Sequence, residues 1–259
     1  MTDNSVAIVT GAAQGLGAAI TRALLRQGYK VCVTDVQETK GKSFVQELQK
    51  EFGPGAVIFS LCDVTKEEDL KRTFDLTVGT FKTVNLLVNN AGIVWEQNPR
   101  KTIDVNLMGP IFGCQLALKY MGKTNGGKGG VVINIASTGG FLPAAALPCY
   151  HASKHAIIGL TRSYGLPYHL ERDGVLFGAV CPHFIDTDIL RNPKTLVEGL
   201  DVVTNNQSMM SPDYVAQGVL KILEDRISGG TLVVSKEKGY QYIGTQKELD
   251  DFTCTVKPL

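Results

Sequence analysis

The sequence predicts an α/β domain built on a doubly wound, seven-stranded parallel sheet with helices on both faces. Three observations carry that expectation: seven short runs rich in apolar and β-branched residues, helix-like segments between successive runs, and a glycine-rich turn directly after the first run. Near-continuous hydrophobicity is what a strand buried on both faces requires. Strand–helix–strand units with right-handed crossovers then wind such a sheet outward in both directions from its first strand.

Each element follows from its own residues. The run 5-SVAIVT-10 leads into the turn 10-TGAAQGLG-17 and a helical segment over 15–28. The second run, 30-KVCVTD-35, ends on a carboxylate and precedes a helix over 37–52. Residues 56-AVIFSLCD-63 form the third strand. The helix over 66–81 has a capping-box start in Thr65 and Glu68, whose side chains can satisfy the first free amides. The fourth strand, 84-VNLLVNN-90, precedes a helix over 99–122. Its Asn98–Pro99 start combines a side-chain cap with a proline where no amide is needed. The fifth, 130-GVVINIAS-137, precedes a helix over 150–171 that Pro167 is expected to bend or break. The sixth, 175-VLFGAVCP-182, runs into a polar, irregular stretch over 183–210. Ser211–Pro212 opens the last helix, 212–225, and 231-TLVVS-235 is the seventh strand. No repeat, low-complexity tract or linker interrupts the 259 residues, so one domain is expected. The stretch 183–210 reads as a substrate lid, because it follows the carboxyl end of a strand, where such sheets bind ligands.

Bulk composition excludes several classes. Lys and Arg total 26 against 25 acidic residues, a balance with no field to recruit nucleic acid or an anionic membrane. No apolar run reaches the length of a bilayer span. The N-terminus MTDNSVAIVTG lacks the basic and apolar regions of a signal peptide. Six cysteines, at 32, 62, 114, 149, 181 and 254, are dispersed without CxxC or a zinc-type cluster, so no metal and a reduced, cytoplasmic setting are expected. Cys149 has no basic partner at suggestive spacing, which argues against a nucleophile. His151, His155 and His169 show no carboxylate or metal partner at such spacing and read as structural.

The turn after the first strand carries a cofactor signal. Glycines 11, 15 and 17 permit a tight turn and let backbone amides approach a pyrophosphate, at a helix N-terminus whose dipole favours the anion. Asp35 stands 24 residues beyond Gly11, at the end of the second strand. A carboxylate there can accept both ribose hydroxyl protons of adenosine and repels a 2′-phosphate. Neither the turn nor Val36, Gln37 and Glu38 offers the Arg or Lys that such a phosphate needs, so NAD is expected rather than NADP. Asp63 is placed to bond an adenine amino group, and 89-NNAG-92 to approach the adenosine ribose. In 148-PCYHASKHA-156, Tyr150 and Lys154 are spaced to share one helix face. A cation beside a phenol lowers its pKa from about 10, towards a usable acid or base.

Four motifs in order, TGxxxGxG, NNAG, a serine closing the fifth strand (Ser137 in 134-NIAST) and YxxxK, make the chain resemble the short-chain dehydrogenase/reductase family from residue 5 to about 240. The resemblance implies a Rossmann-type fold and NAD-dependent oxidation of a secondary alcohol to a ketone. By it, Tyr150 is the general acid/base, Lys154 lowers the phenol pKa and binds the nicotinamide ribose, and Ser137 bonds the substrate oxygen. Asn106, in 102-TIDVNLMGP-110, holds a water linking the lysine to solvent. Pro110 has no N–H for the carbonyl of Asn106, so it either helps leave that oxygen free for the water or only adjusts packing. Cofactor contacts are implied for Gly11, Gln14, Gly15, Leu16, Gly17, Asp35, Asp63, Val64, Asn90, Ala91, Gly92, Tyr150, Lys154, Pro182 and Thr187. The stretch 181-CPHFIDTDI-189 is similar to the family's PGxxxT turn, with Thr187 against the nicotinamide carboxamide and His183 where glycine is usual.

Substrate contacts fall to Ser137, Leu147, Tyr150, His183 and Phe184. Within the family, similarity is densest to the branch that oxidises prostaglandins, through TGAAQGLG, LCDV, 120-YMGKTNGGKGGVVINIAS-137 and YHASKHAIIGLTRS. That branch carries a glutamine near the catalytic tyrosine, whereas Leu147 stands three residues before Tyr150 here and makes the wall apolar. A prostaglandin-like, fatty, terpenoid or steroid alcohol, or a small alcohol, is therefore expected. Phe184, Ile185, Ile189, Leu190, Leu196 and Leu200 either cover such a substrate or pack as ordinary helix residues. A carbonyl reductase or ketosteroid dehydrogenase uses the same residues in the reductive direction. A catalytically idle dinucleotide-binding sensor is the alternative from another class. The resemblance also implies a homodimer or homotetramer.

Overall fold

One sheet organises the chain in a computed structural model, which describes residues 5–187, 189 and 209–244. Strands β1 (Val6–Thr10), β2 (Lys30–Asp35), β3 (Val57–Leu61), β4 (Leu86–Asn89), β5 (Gly130–Ile135), β6 (Val175–Pro182), β7 (Thr231–Ser235) and β8 (Gly239–Ile243) lie in the order β3-β2-β1-β4-β5-β6-β7-β8. The first seven pair in parallel, and β8 pairs antiparallel to β7. The expected seven strands are thus eight among the described residues. Gly239, at φ 68°, turns the chain back after β7. Strand β8 is half-buried and partly exposed along its length, so it lacks the continuous apolar run that marked the others.

Alternating strand residues feed two cores, as the period-two geometry of a strand requires. Ala7, Val9, Val31, Val33 and Val88 meet Ile20 and Leu24 of α1 (Gly15–Arg26), Leu48 of α2 (Glu38–Phe52) and the last helix, Pro212–Asp225. Ile8, Cys32, Leu87 and Val132 face the other way, onto Leu70 and Phe74 of α3 (Glu67–Phe81) and onto the helix Gly109–Met121. Burial of a side chain as large as Phe74 contributes roughly 1.5–3 kcal/mol. Cys32, Cys62 and Cys114 are buried free thiols in the second of these cores, and Cys181 is one in a separate cluster with Ile157 and Ile158. Burial pushes Cys62, Cys114 and Cys181 up to about 12. Among the described residues no helix is long and apolar enough to cross a membrane.

Three local expectations need correction, and one, the break at Pro167, is met. Thr65 does not cap α3: its amide and hydroxyl both donate to Asp63 Oδ1, at 3.1 and 2.8 Å. The helix starts two residues later, on Glu67, Glu68 and Asp69, whose charges suit its amino end. The segment 99–122 is not one helix. Asn98 caps α4 (Pro99–Ile103) by accepting the Lys101 amide, but a single π turn over Asp104–Met108 separates α4 from α5 (Gly109–Met121). There the Gly109 amide reaches back to the Asp104 carbonyl, and Pro110 next in line has no amide to restore the α register. The break expected at Pro167 divides α6 (Pro148–Tyr164) from α7 (Pro167–Asp173), ahead of α8 (Pro212–Asp225). Finally, His169 does have a carboxylate partner: its Nδ1 lies 3.2 Å from Oδ2 of the fully buried Asp173.

Candidate active site

The chain leaves β1 towards β2 on one side and reaches β4 on the other, which opens a crevice at the carboxyl ends of the strands. A cavity of about 860 Å³ occupies it. Gly11, Gln14, Gly15, Leu16, Gly17, Asp35, Asp63, Val64, Asn90, Ala91, Gly92, Ser137, Leu147, Tyr150, Lys154, Pro182, His183, Phe184 and Thr187 all line it. Asn106 alone of the expected residues does not, and is buried behind the wall.

At one end the wall is backbone. A Cβ on Gly11 would lie 2.8 Å from the Ala91 Cα, and one on Gly17 would lie 2.3 Å from the Gly11 carbonyl oxygen. The Thr10 hydroxyl accepts the amides of Asn90 and Ala91, both at 3.0 Å, and the Asn90 side-chain amide donates to the carbonyls of Thr10 and Gly11. The two turns are thus tied into one cradle, which has no room for a side chain at Gly11 or Gly17. Asp35, 5% exposed, accepts the Ala13 amide through Oδ2 at 3.0 Å and the Gln37 amide through Oδ1 at 2.9 Å. It therefore clamps the glycine turn to β2, and a carboxylate with about four acceptor positions retains capacity for two hydroxyls. Lys40 reaches the Gln14 side chain, so a cation stands near this end after all, on the first turn of α2. Asp63 lies 3.6 Å from the ammonium of Lys101. Burial works to raise its carboxyl, but the Thr65 hydrogen bonds and the charges of Lys101 and Lys66 outweigh it and hold the group below the usual range.

At the other end α6 delivers Tyr150 at its third residue and Lys154 one turn later. The Lys154 ammonium donates to the Ile135 carbonyl at 2.8 Å and sits 5.6 Å from the Tyr150 ring centroid. Ser137 accepts the Gly139 amide at 3.1 Å and hydrogen-bonds the phenol. The expected depression of the phenol pKa is absent here. Burial raises the Tyr150 pKa, and the Ser137 hydrogen bond only opposes that. The same desolvation lowers Lys154 from 10.5 to about 8, with Cys181 opposing. Packing buries Lys154, while Tyr150 stays half-buried on the cavity wall.

The lysine shift has a testable sign. Unfolded Lys154 keeps its proton to 10.5 while the folded residue releases it near 8, so between these values the unfolded chain binds more protons. Unfolding free energy should therefore climb with pH across that window. Urea midpoints at pH 7.5, 8.5 and 9.5 should rise more steeply for the wild type than for Lys154→Met. Equal slopes would show that the folded lysine titrates normally.

Asn106 is spent on structure. Its Oδ1 accepts the Ile93 amide at 2.8 Å, and its Nδ2 donates to the Ile93 carbonyl at 2.9 Å and to the Ser153 hydroxyl at 3.1 Å. The side chain pins the loop after β4 to α6, which leaves only its backbone carbonyl as a relay group. Beyond Tyr150 the cavity turns apolar, through Val94, Leu142, Pro143, Ala146, Leu147 and Ile189. Leu147 is buried and packs with Val94. His183 Nδ1 lies 2.9 Å from the Thr138 hydroxyl, and its ring meets Phe184 edge-on. Ile185 bridges to Met210, which ties together the two ends of the expected lid. Most of that lid, including Leu190, Leu196 and Leu200, lies outside the described residues. Sequence reasoning missed Val94, Glu96, Thr138 and Leu142. Nothing periodic marks them, and only their nearness to NNAG and Ser137 was available as a signal.

Known proteins resemble this chain in sequence and fold. Residues 5–198 match the short chain dehydrogenase family. The chain is 38% identical to human (Homo sapiens) 15-hydroxyprostaglandin dehydrogenase [NAD(+)] over 250 residues, covering 93% of this chain and 94% of the relative. It is 30% identical to (+)-borneol dehydrogenase 2 of Salvia officinalis, covering 91% and 84%. A short chain dehydrogenase/reductase from Burkholderia phymatum, solved in complex with NAD, superimposes with a TM-score of 0.78 at 24% identity, covering 90% of each chain; that likeness is one of fold.

Proposed function

Because the chain belongs to the short-chain dehydrogenase family, and is on that ground an NAD-dependent alcohol dehydrogenase, we propose that it oxidises a secondary alcohol on a lipophilic skeleton to the ketone. Prostaglandin-like, fatty, terpenoid and steroid alcohols fit that class. One observation supports this most: a single cavity joins a glycine-lined backbone cradle to an apolar wall and is also lined by Ser137 and Tyr150. The cradle suits a dinucleotide, since only bare backbone leaves room for a pyrophosphate and presents amides to it.

In this reading the amides around Gly11, Gly15 and Gly17 would hold the pyrophosphate, Asp35 the adenosine ribose, and Asp63 with Val64 the adenine. Lys154 would hold the second ribose, and Pro182 and Thr187 the nicotinamide end. When bound, NAD supplies the hydride acceptor. The chain does the rest. Ser137 orients the alcohol oxygen, and Tyr150 removes its proton, so both act on one atom from the rim of the apolar wall. Val94, Leu142 and Leu147 exclude water and select the skeleton by burial. We assign the working unit as a cytoplasmic homodimer or homotetramer, which light scattering distinguishes.

The test is an NADH-fluorescence screen of prostaglandins, fatty and terpenoid alcohols, steroids and short alcohols, with NAD and NADP side by side. Turnover of a lipophilic secondary alcohol is expected, with kcat/KM at least tenfold higher for NAD. Asp35→Ser should narrow that preference and raise the KM for NAD, because it removes both the ribose acceptor and the clamp on Ala13. A panel with no substrate, or a wild-type preference for NADP, overturns the reading.

A further inference from the structure

The amino end of α6 is capped from outside the helix. Pro148, at the first position, has no amide to satisfy. The next two amides, of Cys149 and Tyr150, donate to the two carboxylate oxygens of Glu96, at 3.0 Å to Oε2 and 2.8 Å to Oε1, across 53 and 54 residues of sequence. Such amides ordinarily bond a Ser, Thr, Asp or Asn at the residue just before the helix. Here that residue is Leu147, which makes no cap bond and is buried in the apolar wall beside Val94. Glu96 is itself held firmly. Ile93 is paired in both directions by the Asn106 side chain, and the Trp95 carbonyl accepts the Thr102 hydroxyl at 2.9 Å and the Asn98 amide at 3.1 Å. The carboxylate also favours the positive end of the helix dipole and bonds the Cys149 thiol.

We propose that Glu96 is the positioning residue for Tyr150. It performs the capping that Leu147 cannot, which frees the residue before the helix to form the apolar wall of the substrate end. The proposal rests on the reading of Tyr150 as proton carrier. It also explains how one helix start serves two incompatible demands, a polar cap and a greasy pocket.

The experiment compares Glu96→Ala, Glu96→Gln, Leu147→Ser and the double variant Glu96→Ala/Leu147→Ser. It reads kcat on a short secondary alcohol, KM for NAD, and hydrogen exchange at the Cys149 and Tyr150 amides. Glu96→Ala should lose protection at both amides and about 10–100-fold in kcat, as expected for a misplaced reacting group, with KM for NAD changed less than about threefold. Leu147→Ser, which supplies a local cap, should restore protection and most of kcat in the double variant. Should Glu96→Ala fail to fold, Glu96→Gln is expected to show the same split to a smaller degree. The proposal is overturned by wild-type kcat in Glu96→Ala, by unchanged amide protection, or by a parallel loss of kcat and NAD affinity that Leu147→Ser does not restore. Amide protection is read without turnover, so it bears on Glu96 even if Tyr150 proves not to carry the proton.

Discussion

Tyr150→Phe is expected to lower kcat for alcohol oxidation by roughly 10²–10⁴-fold, the usual contribution of a positioned proton carrier. The change removes one oxygen and leaves the ring, the α6 start and the Lys154–Ile135 hydrogen bond in place. Coenzyme affinity should therefore stay within a few-fold of the wild type, which separates proton transfer from binding. The pH profile supplies a second reading. Oxidation needs the phenolate, and burial raises the Tyr150 pKa in the free protein. Wild-type kcat/KM for oxidation should thus rise with pH through the neutral and alkaline range, and that for ketone reduction, which needs the phenol, should fall. The residual activity of the variant should lack the dependence in both directions. A variant within tenfold of wild type, with the same profile, would place the proton elsewhere.

Gly17→Ala is expected to damage both stability and coenzyme binding. The added Cβ would meet the Gly11 carbonyl oxygen at 2.3 Å, the Asn90 Nδ2 at 2.6 Å and the Ala12 Cα at 2.8 Å. None of these can retreat cheaply. Gly11 is itself pressed against the Ala91 backbone, and Asn90 Nδ2 is bonded to the Thr10 and Gly11 carbonyls. Overpacking of this kind costs about 1–3 kcal/mol even where side chains share the strain, and here it falls on backbone. NADH affinity should drop at least tenfold, because the displaced turn is the proposed pyrophosphate cradle. Gly79→Ala is the control. Gly79 lies inside α3 with nothing within 4 Å of an added Cβ, and the same substitution there should stabilise the protein by roughly 0.5–1 kcal/mol. Urea midpoints and NADH fluorescence titrations of the pair decide it. Equal behaviour of the two variants would mean that the cradle tolerates a side chain.

What the chain announces by itself is local. Seven parallel strands show as apolar runs because burial on both faces demands one kind of residue throughout. The glycine turn, Asp35 and the Tyr150–Lys154 pair show because a tight backbone approach and a shared helix face each need set residue types at set spacings. Strand β8 escaped, since a half-exposed edge obeys no such constraint. The capping box at Thr65 failed for a related reason: Asp63, two residues away, competed for the same hydroxyl and amide.

Other features belong to the tertiary structure alone. Glu96 caps α6 only because the loop after β4 is folded against it, and no spacing in the sequence encodes a contact made across 53 residues. The sign of the Tyr150 shift is of the same kind. The spacing to Lys154 suggested a lowered pKa, but desolvation depends on every neighbour that excludes water, and packing made it the larger effect. Local periodicity and backbone geometry are written residue by residue, whereas burial and long-range caps exist only once distant segments meet.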